Sequence, residues 1–293
     1  MQQKLERAAA DFDGVLGVAA KNLLTGEEIL WNADMRFPTA STIKTAVMIE
    51  AYHQAAEGKL SLDDRVPLRG ADKVGGSGVL NGLADGLELK VRDLVSLMIV
   101  LSDNTATNML VTRLGSRHID DRLAAYGLAH TKIFRPTFRD GRADVFPELE
   151  REFGLGMTTP REMARMMALI ADGKAVSPLA SAEMLATLRR QQDRSMIPRL
   201  LPSDGSIDVG NKTGTDSEKL ADAGGRRGAI RADAAIVTGT GVKYVVAIYT
   251  RRGADGRSGV DNAALMAGAR ISRMVFDYFT GGGRQEPGLG DIR

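Results

Sequence analysis

The spacing of apolar positions changes period along the chain. The opening MQQKLERAAADFDG sets its few apolar residues at helical intervals among charges, which predicts a surface helix. In VLGVAAKNLLTGEEILWN, apolar and polar positions alternate on both sides of Thr25-Gly26, the pattern of two strands joined by a turn. From residue 41 the spacing turns helical, with helices predicted over 41–57, ending near Gly58, and over 91–104, running into a Ser-Asp-Asn loop. More follow over 104–114, 116–126, 159–171 and 181–191. Thr158-Thr159-Pro160 followed by Glu162 supplies an N-cap and a proline at the first helical position of the 159–171 segment. Near residue 207 the period shortens. SIDVGNKTGT, AIRADAAIVTGT and KYVVAIYTRR have the length and β-branched content of strands, with glycine-rich turns between them. An amphipathic helix over 261–279 closes the pattern, and the tail GGGRQEPGLGDIR is expected to be mobile.

Strands at both ends with helices between them imply one sheet assembled from the two ends of the chain, an α/β (α+β) protein with an antiparallel sheet. Residues 1–33 and 200–293 are expected to form a discontinuous α/β sheet domain, and residues 34–199 an inserted helical one. A cleft between two such lobes is a common place for a ligand site. The sequence shows no internal repeat and no low-complexity tract.

Composition narrows the function. With 293 residues, 43% of them hydrophobic, the chain can bury a substantial core. Its net charge of +2 is scattered, which leaves no electrostatic footprint for nucleic acid or an anionic membrane. The absence of cysteine excludes disulfides, thiol catalysis and Cys-ligated zinc. His53, His118 and His130 lack metal-ligand spacing, and Asp140-Gly141-Arg142-Ala143-Asp144 lacks that of a calcium loop, so neither metal nor cofactor is expected. No apolar segment approaches the roughly 20 residues of a membrane span, which predicts a soluble protein, expected to be monomeric. The N-terminus does not read as a signal peptide, so any export signal is expected outside this sequence.

The stretch FPTASTIKTAVMIEAY carries the first chemical signal. Ser41 and Lys44 lie three apart at the start of a segment apolar on nearly every face, so they share one side of a buried helix. A lysine there must find a partner or lose its proton, and a neutral lysine can take the proton of a neighbouring hydroxyl. Ser102-Asp103-Asn104 and Lys212-Thr213-Gly214 follow, with 61 residues from the first serine to the second and 110 more to Lys212. Taken singly, each has a plain structural reading: Ser41 as an N-cap, Lys44 reaching out to solvent, Ser102 to Asn104 as a capping cluster, Lys212 to Gly214 as a strand running into a turn. The loop KVGGSGVLNG lacks the G-x-x-x-x-G-K phosphate pattern and a preceding strand, and reads as a flexible cleft rim.

In this order and spacing the three motifs resemble those of the class A β-lactamases and of the penicillin-binding proteins that share their fold, a resemblance running from about Gly14 to Phe279. It implies that Ser41 attacks a carbonyl and Lys44 helps to remove its proton. The backbone N–H groups of Ser41 and Thr215 would form the oxyanion hole, Ser102 would relay a proton to the departing nitrogen, and Asn104 would contact Lys44 and the substrate amide. Lys212 would place positive charge near Ser102 and a substrate carboxylate, with Thr213, Gly214, Thr215 and Arg231 completing the substrate contacts. Arg226 and Arg227, in a longer loop, are weaker partners for that carboxylate. The implied substrate is a β-lactam or a D-Ala-D-Ala peptide, and the implied location is extracytoplasmic.

The resemblance breaks in TKIFRPTFRDGRADVFPELEREFGLGMTTP, residues 131–160. A class A β-lactamase carries here the glutamate that activates water for deacylation, commonly in E-P-E-L-N. Aligned on Pro147-Glu148-Leu149, that position holds Phe146; counted forward from Thr131, it holds Thr137. Either Glu148, Glu150 or Glu152 reaches the water from a different loop shape, or deacylation is slow, as in a penicillin-binding D-alanyl-D-alanine peptidase. The first expectation is a β-lactamase-like hydrolase, with the peptidase as the alternative. A catalytically silent peptidoglycan-binding module is a third reading, which the intact Ser-Lys-Ser-Lys set opposes.

Overall fold

A computed structural model describes residues 1–281; the tail from Gly282 on, expected to be mobile, lies outside them. In chain order the elements are α1 (Gln2–Ala10), β1 (Val15–Asn22), β2 (Glu28–Trp31), β3 (Phe37–Pro38), a 3-10 turn over Ala40–Ile43, α2 (Lys44–Ala56), β4 (Arg65–Pro67), β5 (Glu88–Lys90), α3 (Val91–Val100), α4 (Asn104–Leu114) and α5 (Ser116–Ala125). There follow β6 (Lys132–Ile133), α6 (Pro147–Phe153), β7 (Gly156–Thr158), α7 (Pro160–Ala171), α8 (Pro178–Arg189), β8 (Ile207–Ser217), β9 (Ala229–Gly239), β10 (Val242–Gly253) and α9 (Ala263–Phe279).

The two ends of the chain meet in one antiparallel sheet of order β2-β1-β10-β9-β8, in which Val18 lies opposite Ile248 and Lys212 opposite Ala234. The two-residue period sorts its side chains. Ala232, Ala234, Ile236, Val245 and Ala247 join the core beneath α2, α3, α4 and α7, whereas Ala235, Val237, Val246 and Ile248 pack with Leu5 of α1 and Ile271 and Val275 of α9. The helical region and one sheet face thus share a continuous core. β8 is an edge strand, so its free side is available to the cleft.

Three helix limits differ from expectation for local reasons. The serine motif does not open an α-helix: Ala40 takes the left-handed conformation (φ 42°), residues 40–43 form a 3-10 turn, and α2 begins at Lys44. The helix expected over 91–104 stops at Val100, because Ser102 is also left-handed (φ 55°) and Asp103 then caps α4, accepting from Ala106 N–H at 2.9 Å. α8 starts earlier than residue 181, at Pro178, behind the Ser177 cap.

The 131–160 segment is pinned at its ends by β6 pairing with β7, and held inside by Arg135. That guanidinium is only 2% exposed; it donates to Glu150 Oε1 at 2.8 Å and also pairs with Asp140. α6 was not predicted: residues 147–153 are too few to show a helical period.

Candidate active site

Ser41 is fixed from three sides. Upstream, Thr39 N–H donates to the Gly156 carbonyl at 2.9 Å, anchoring the turn to β7. Beneath it, the Thr42 and Tyr249 hydroxyls lie 2.7 Å apart, and the Tyr249 ring packs on Phe37. Downstream, α2 is buried on most faces, which holds its first residue, Lys44, at 0% exposure. The left-handed Ala40 just before the nucleophile is the kind of strain, ~1–3 kcal/mol, that persists only where the surroundings enforce it. Ser41 itself remains partly exposed.

The two lysines converge on one hydroxyl. Lys44 Nζ donates to the Ser102 carbonyl at 2.7 Å, to Ser102 Oγ at 3.1 Å and to Asn104 Oδ1 at 2.8 Å. Lys212 Nζ donates to the same Ser102 Oγ at 3.1 Å and to the Thr213 carbonyl at 2.7 Å. With two N–H donors at its oxygen, the Ser102 hydroxyl has its own proton free to donate into the cleft. Its left-handed backbone explains the reach, since it brings both the carbonyl and the side chain to Lys44. Burial, reinforced by the charge of Lys212, pushes the Lys44 pKa well below the usual lysine value, with Asp103 opposing. Burial also lowers Lys212, to about 8, against the raising influence of Asp233 and Asp193. Both amines thus hold their protons less firmly than an ordinary lysine.

Asp103 links this centre to the rim. Its Oδ2 accepts from the N–H groups of Val79 and Leu80 at 2.7 and 2.9 Å, so the glycine-rich loop expected as a rim is tied to the serine motif. Asn104 further donates to the Gly75 carbonyl at 3.1 Å.

On the opposite wall, β8 presses against the nucleophile turn at Gly214. A Cβ there would lie 2.8 Å from the Thr39 carbonyl oxygen, 3.1 Å from Ala40 Cβ and 3.2 Å from Ser41 N. Only glycine lets the strand approach this closely, and Thr215 follows directly. Behind the strand, Asp233 is fully buried, accepts from Asn211 Nδ2 and from Ile197 N–H, and is raised by burial to about 7.

Two cavities open on Ser41. One, of about 250 Å³, is lined by Ser41, Ser77, Ser102, Gln191, Thr213 and Thr215. The other, of about 230 Å³, runs past Asn104 and Thr137 to Asp140, Asp216 and Lys219. The structure therefore brings together Ser41, Lys44, Ser102, Asn104, Lys212, Thr213, Gly214 and Thr215. It does not bring Arg231, whose guanidinium donates to the carbonyls of Ile230 and Arg257 at 2.8 Å each and to that of Asp216 at 3.4 Å. Arg231 is not among the residues lining either cavity. Arg226 lines a separate cavity of about 630 Å³.

The three glutamates named for deacylation also lie apart from Ser41. Glu150 is buried against Arg135 and accepts from Gly141 N–H, Glu152 lies 3.6 Å from Arg251 beside the separate cavity, and Glu148 sits in the first turn of α6 without lining either Ser41 cavity. Thr137, not Phe146, reaches the cavity: Asn108 clamps its backbone, donating to the Thr137 carbonyl at 3.1 Å and accepting from its N–H at 2.7 Å. Of the two positions offered by the sequence, only Thr137 lines a cavity that opens on Ser41. Sequence reasoning missed Ser77, Asp140, Asp216 and Lys219, which reach the cleft from loops and a strand end without any motif. Among the described residues no group of three or more His, Asp or Glu is placed to hold a metal ion.

The sequence model of the β-lactamase enzyme family matches residues 1–279. β-Lactamase CTX-M-6 from Salmonella typhimurium is 30% identical over 221 residues, 73% of this chain and 72% of that protein. The crystal structure of a β-lactamase from Sphaerobacter thermophilus superposes with a TM-score of 0.79 and 33% identity over 95% of this chain and 96% of its own. PBP-A superposes with a TM-score of 0.80 at 25% identity, over 96% of each chain. Matched along nearly its whole described length, with the class A fold and the converging serine and lysines in place, the chain belongs to the β-lactamase enzyme family.

Proposed function

We propose that the protein is a serine hydrolase that opens the cyclic amide of β-lactams through an acyl-enzyme at Ser41. The supporting observation is the sharing of one hydroxyl, Ser102 Oγ, by Lys44 and Lys212 beside an accessible serine. Ser41 Oγ bonds to the carbonyl carbon while its proton passes to the Lys44 amine, which has first released to solvent one of the protons it donates to Ser102 and Asn104. The negative oxygen is held by the N–H groups of Ser41 and Thr215. The C–N bond then breaks, and the nitrogen takes the Ser102 proton, which Lys44 replaces. Lys212, Thr213 and Thr215 receive the substrate carboxylate; Arg231 stands outside this set because its guanidinium turns to the backbone carbonyls of Asp216, Ile230 and Arg257 and lines neither Ser41 cavity. The extracytoplasmic location belongs to the same proposal.

The second half of the cycle is slow. Hydrolysis of the ester requires a base for water, and the cavity wall offers Thr137, whose hydroxyl is far too weak a base, where a carboxylate would serve. Asp140 lines the same cavity but is paired with Arg135 and lies 3.6 Å from Lys219. This favours, as second reading, a peptidase of the D-alanyl-D-alanine type that β-lactams trap. A variant of PBP-A that has been solved as an acyl-enzyme complex with penicillin G matches this chain with a TM-score of 0.79 and 26% identity over 96% of each chain. Mixing the protein with a chromogenic cephalosporin tests the proposal: colour release equal to the enzyme concentration, followed by a slow phase, is expected. Fast sustained turnover would overturn the slow step, and no release would overturn the activity.

A further inference from the structure

On the acylation reading set out above, the substrate carboxylate lies with Ser102, Thr213 and Thr215 in one of the two cavities at Ser41, so the acyl side chain takes the other, of about 230 Å³. The charges of that cavity leave nothing for it to pair with. Two cations and two anions line it and hold one another: Arg135 pairs with Asp140, and Lys219 lies 3.6 Å from Asp140 and 3.5 Å from Asp216. The apolar part of the lining is Ala40 and Leu155, both buried, and Phe138, which is 60% exposed. A lone exposed apolar side chain is ordinary, but three features set this one apart. Its backbone is left-handed (φ 58°), a conformation rare for a bulky residue. The residue before it, Thr137, is clamped by Asn108 at both its N–H and its carbonyl. Its ring lies against the rim loop, where a Cβ on Gly76 would come within 2.9 Å of Phe138 Cζ and 3.3 Å of Cε2. Phe146, in the same segment, meets the Phe134 ring edge-on and carries Lys132 over its face, whereas among the described residues no other aromatic ring packs on Phe138.

From this arrangement we propose that Phe138 is a specificity-determining residue, whose ring stacks on the acyl side chain and selects substrates in which that chain is uncharged and aromatic. The Asn108 clamp before it and the Gly76 contact beside it hold the ring over the cavity in advance, so little ordering is required when substrate enters. A charged acyl group would have to displace one of the existing ion pairs or lie unpaired beside the ring, and is disfavoured. One added aromatic pair amounts to a preference of roughly three- to tenfold.

The test compares benzylpenicillin with 6-acetamidopenicillanic acid, which lacks only the phenyl ring, through second-order acylation rates measured in competition with a chromogenic cephalosporin, each divided by the compound's own rate of alkaline hydrolysis. Benzylpenicillin is expected to react roughly three- to tenfold faster in the unmodified protein. In Phe138→Ala the ratio is expected to fall toward one, and in Phe138→Tyr, which keeps a ring, to stay within about twofold of the unmodified value. A loop merely loosened by the substitution slows both compounds alike and leaves the ratio where it was. A ratio near one in the unmodified protein, or one that Phe138→Ala leaves unmoved, overturns this proposal alone. Acylation by neither compound overturns the Ser41 reading and this proposal with it.

Discussion

A single methyl group at Gly214 tests how tightly the strand and the nucleophile turn must fit. In Gly214→Ala the new Cβ would lie 2.8 Å from the Thr39 carbonyl oxygen, whereas ordinary contact begins at 3.4 Å, so the backbones must part by 3.4 − 2.8 = 0.6 Å. Neither side yields easily. Thr39 is tied to Gly156, and β8 is paired with β9 along its length. The widening falls between the Ser41 and Thr215 N–H groups, which must both reach one oxyanion, and a displacement above about 0.5 Å exceeds what a preorganised site tolerates. Loss of one such donor removes ~2.7–4 kcal/mol of transition-state stabilisation, or 10²–10³ in rate. Overpacking costs the fold itself only ~1–3 kcal/mol. The assay is the second-order rate of acylation by a chromogenic cephalosporin, beside a thermal melt. A folded variant with a rate within threefold of the unmodified protein would refute the reasoning.

Other consequences follow from the same geometry. The acylation rate is expected to fall as pH rises through about 8, where Lys212 loses its proton, and Lys212→Arg should retain activity and move that limb upward; a stopped-flow pH series checks both. Thr137→Glu should place a carboxylate on the cavity wall and speed deacylation at least tenfold, read as the slow phase of colour release. Arg135→Met leaves Glu150 buried without its partner and should lower stability by ~3–5 kcal/mol in denaturant unfolding. Asp233 is raised in the folded state, so the stability it confers is full below about pH 4, the unfolded value, and is lost as pH rises toward 7. Asp233→Asn should flatten that part of the stability curve.

Much of the molecule was legible because its signals are local. The alternation in KYVVAIYTRR and AIRADAAIVTGT marks strands whose two faces enter two cores, and Ser41, Lys44, Ser102 and Lys212 are recognisable by spacing. What escaped depends on distant contacts. The left-handed Ala40 and Ser102 leave no trace in hydrophobic period, yet the first turns an expected helix start into a 3-10 turn and the second ends α3 at Val100, before residue 104. The register of residues 131–160 turns on the Arg135 pair with Glu150 and on the Asn108 clamp at Thr137, contacts spanning 15 and 29 positions. Arg231 reads as a carboxylate partner because its strand is correct, but sequence cannot show that its guanidinium turns to three backbone carbonyls. Asp140, Asp216 and Lys219 become a group only when a loop folds over the strand end.

The central claim is a covalent bond at Ser41, and intact-mass measurement after brief exposure to benzylpenicillin tests it most directly. The account predicts a mass increase of one penicillin per chain, localised by proteolysis to the peptide containing Ser41 and absent from Ser41→Ala. An unmodified chain with no hydrolysed penicillin in solution, or an adduct that survives in Ser41→Ala, would contradict it.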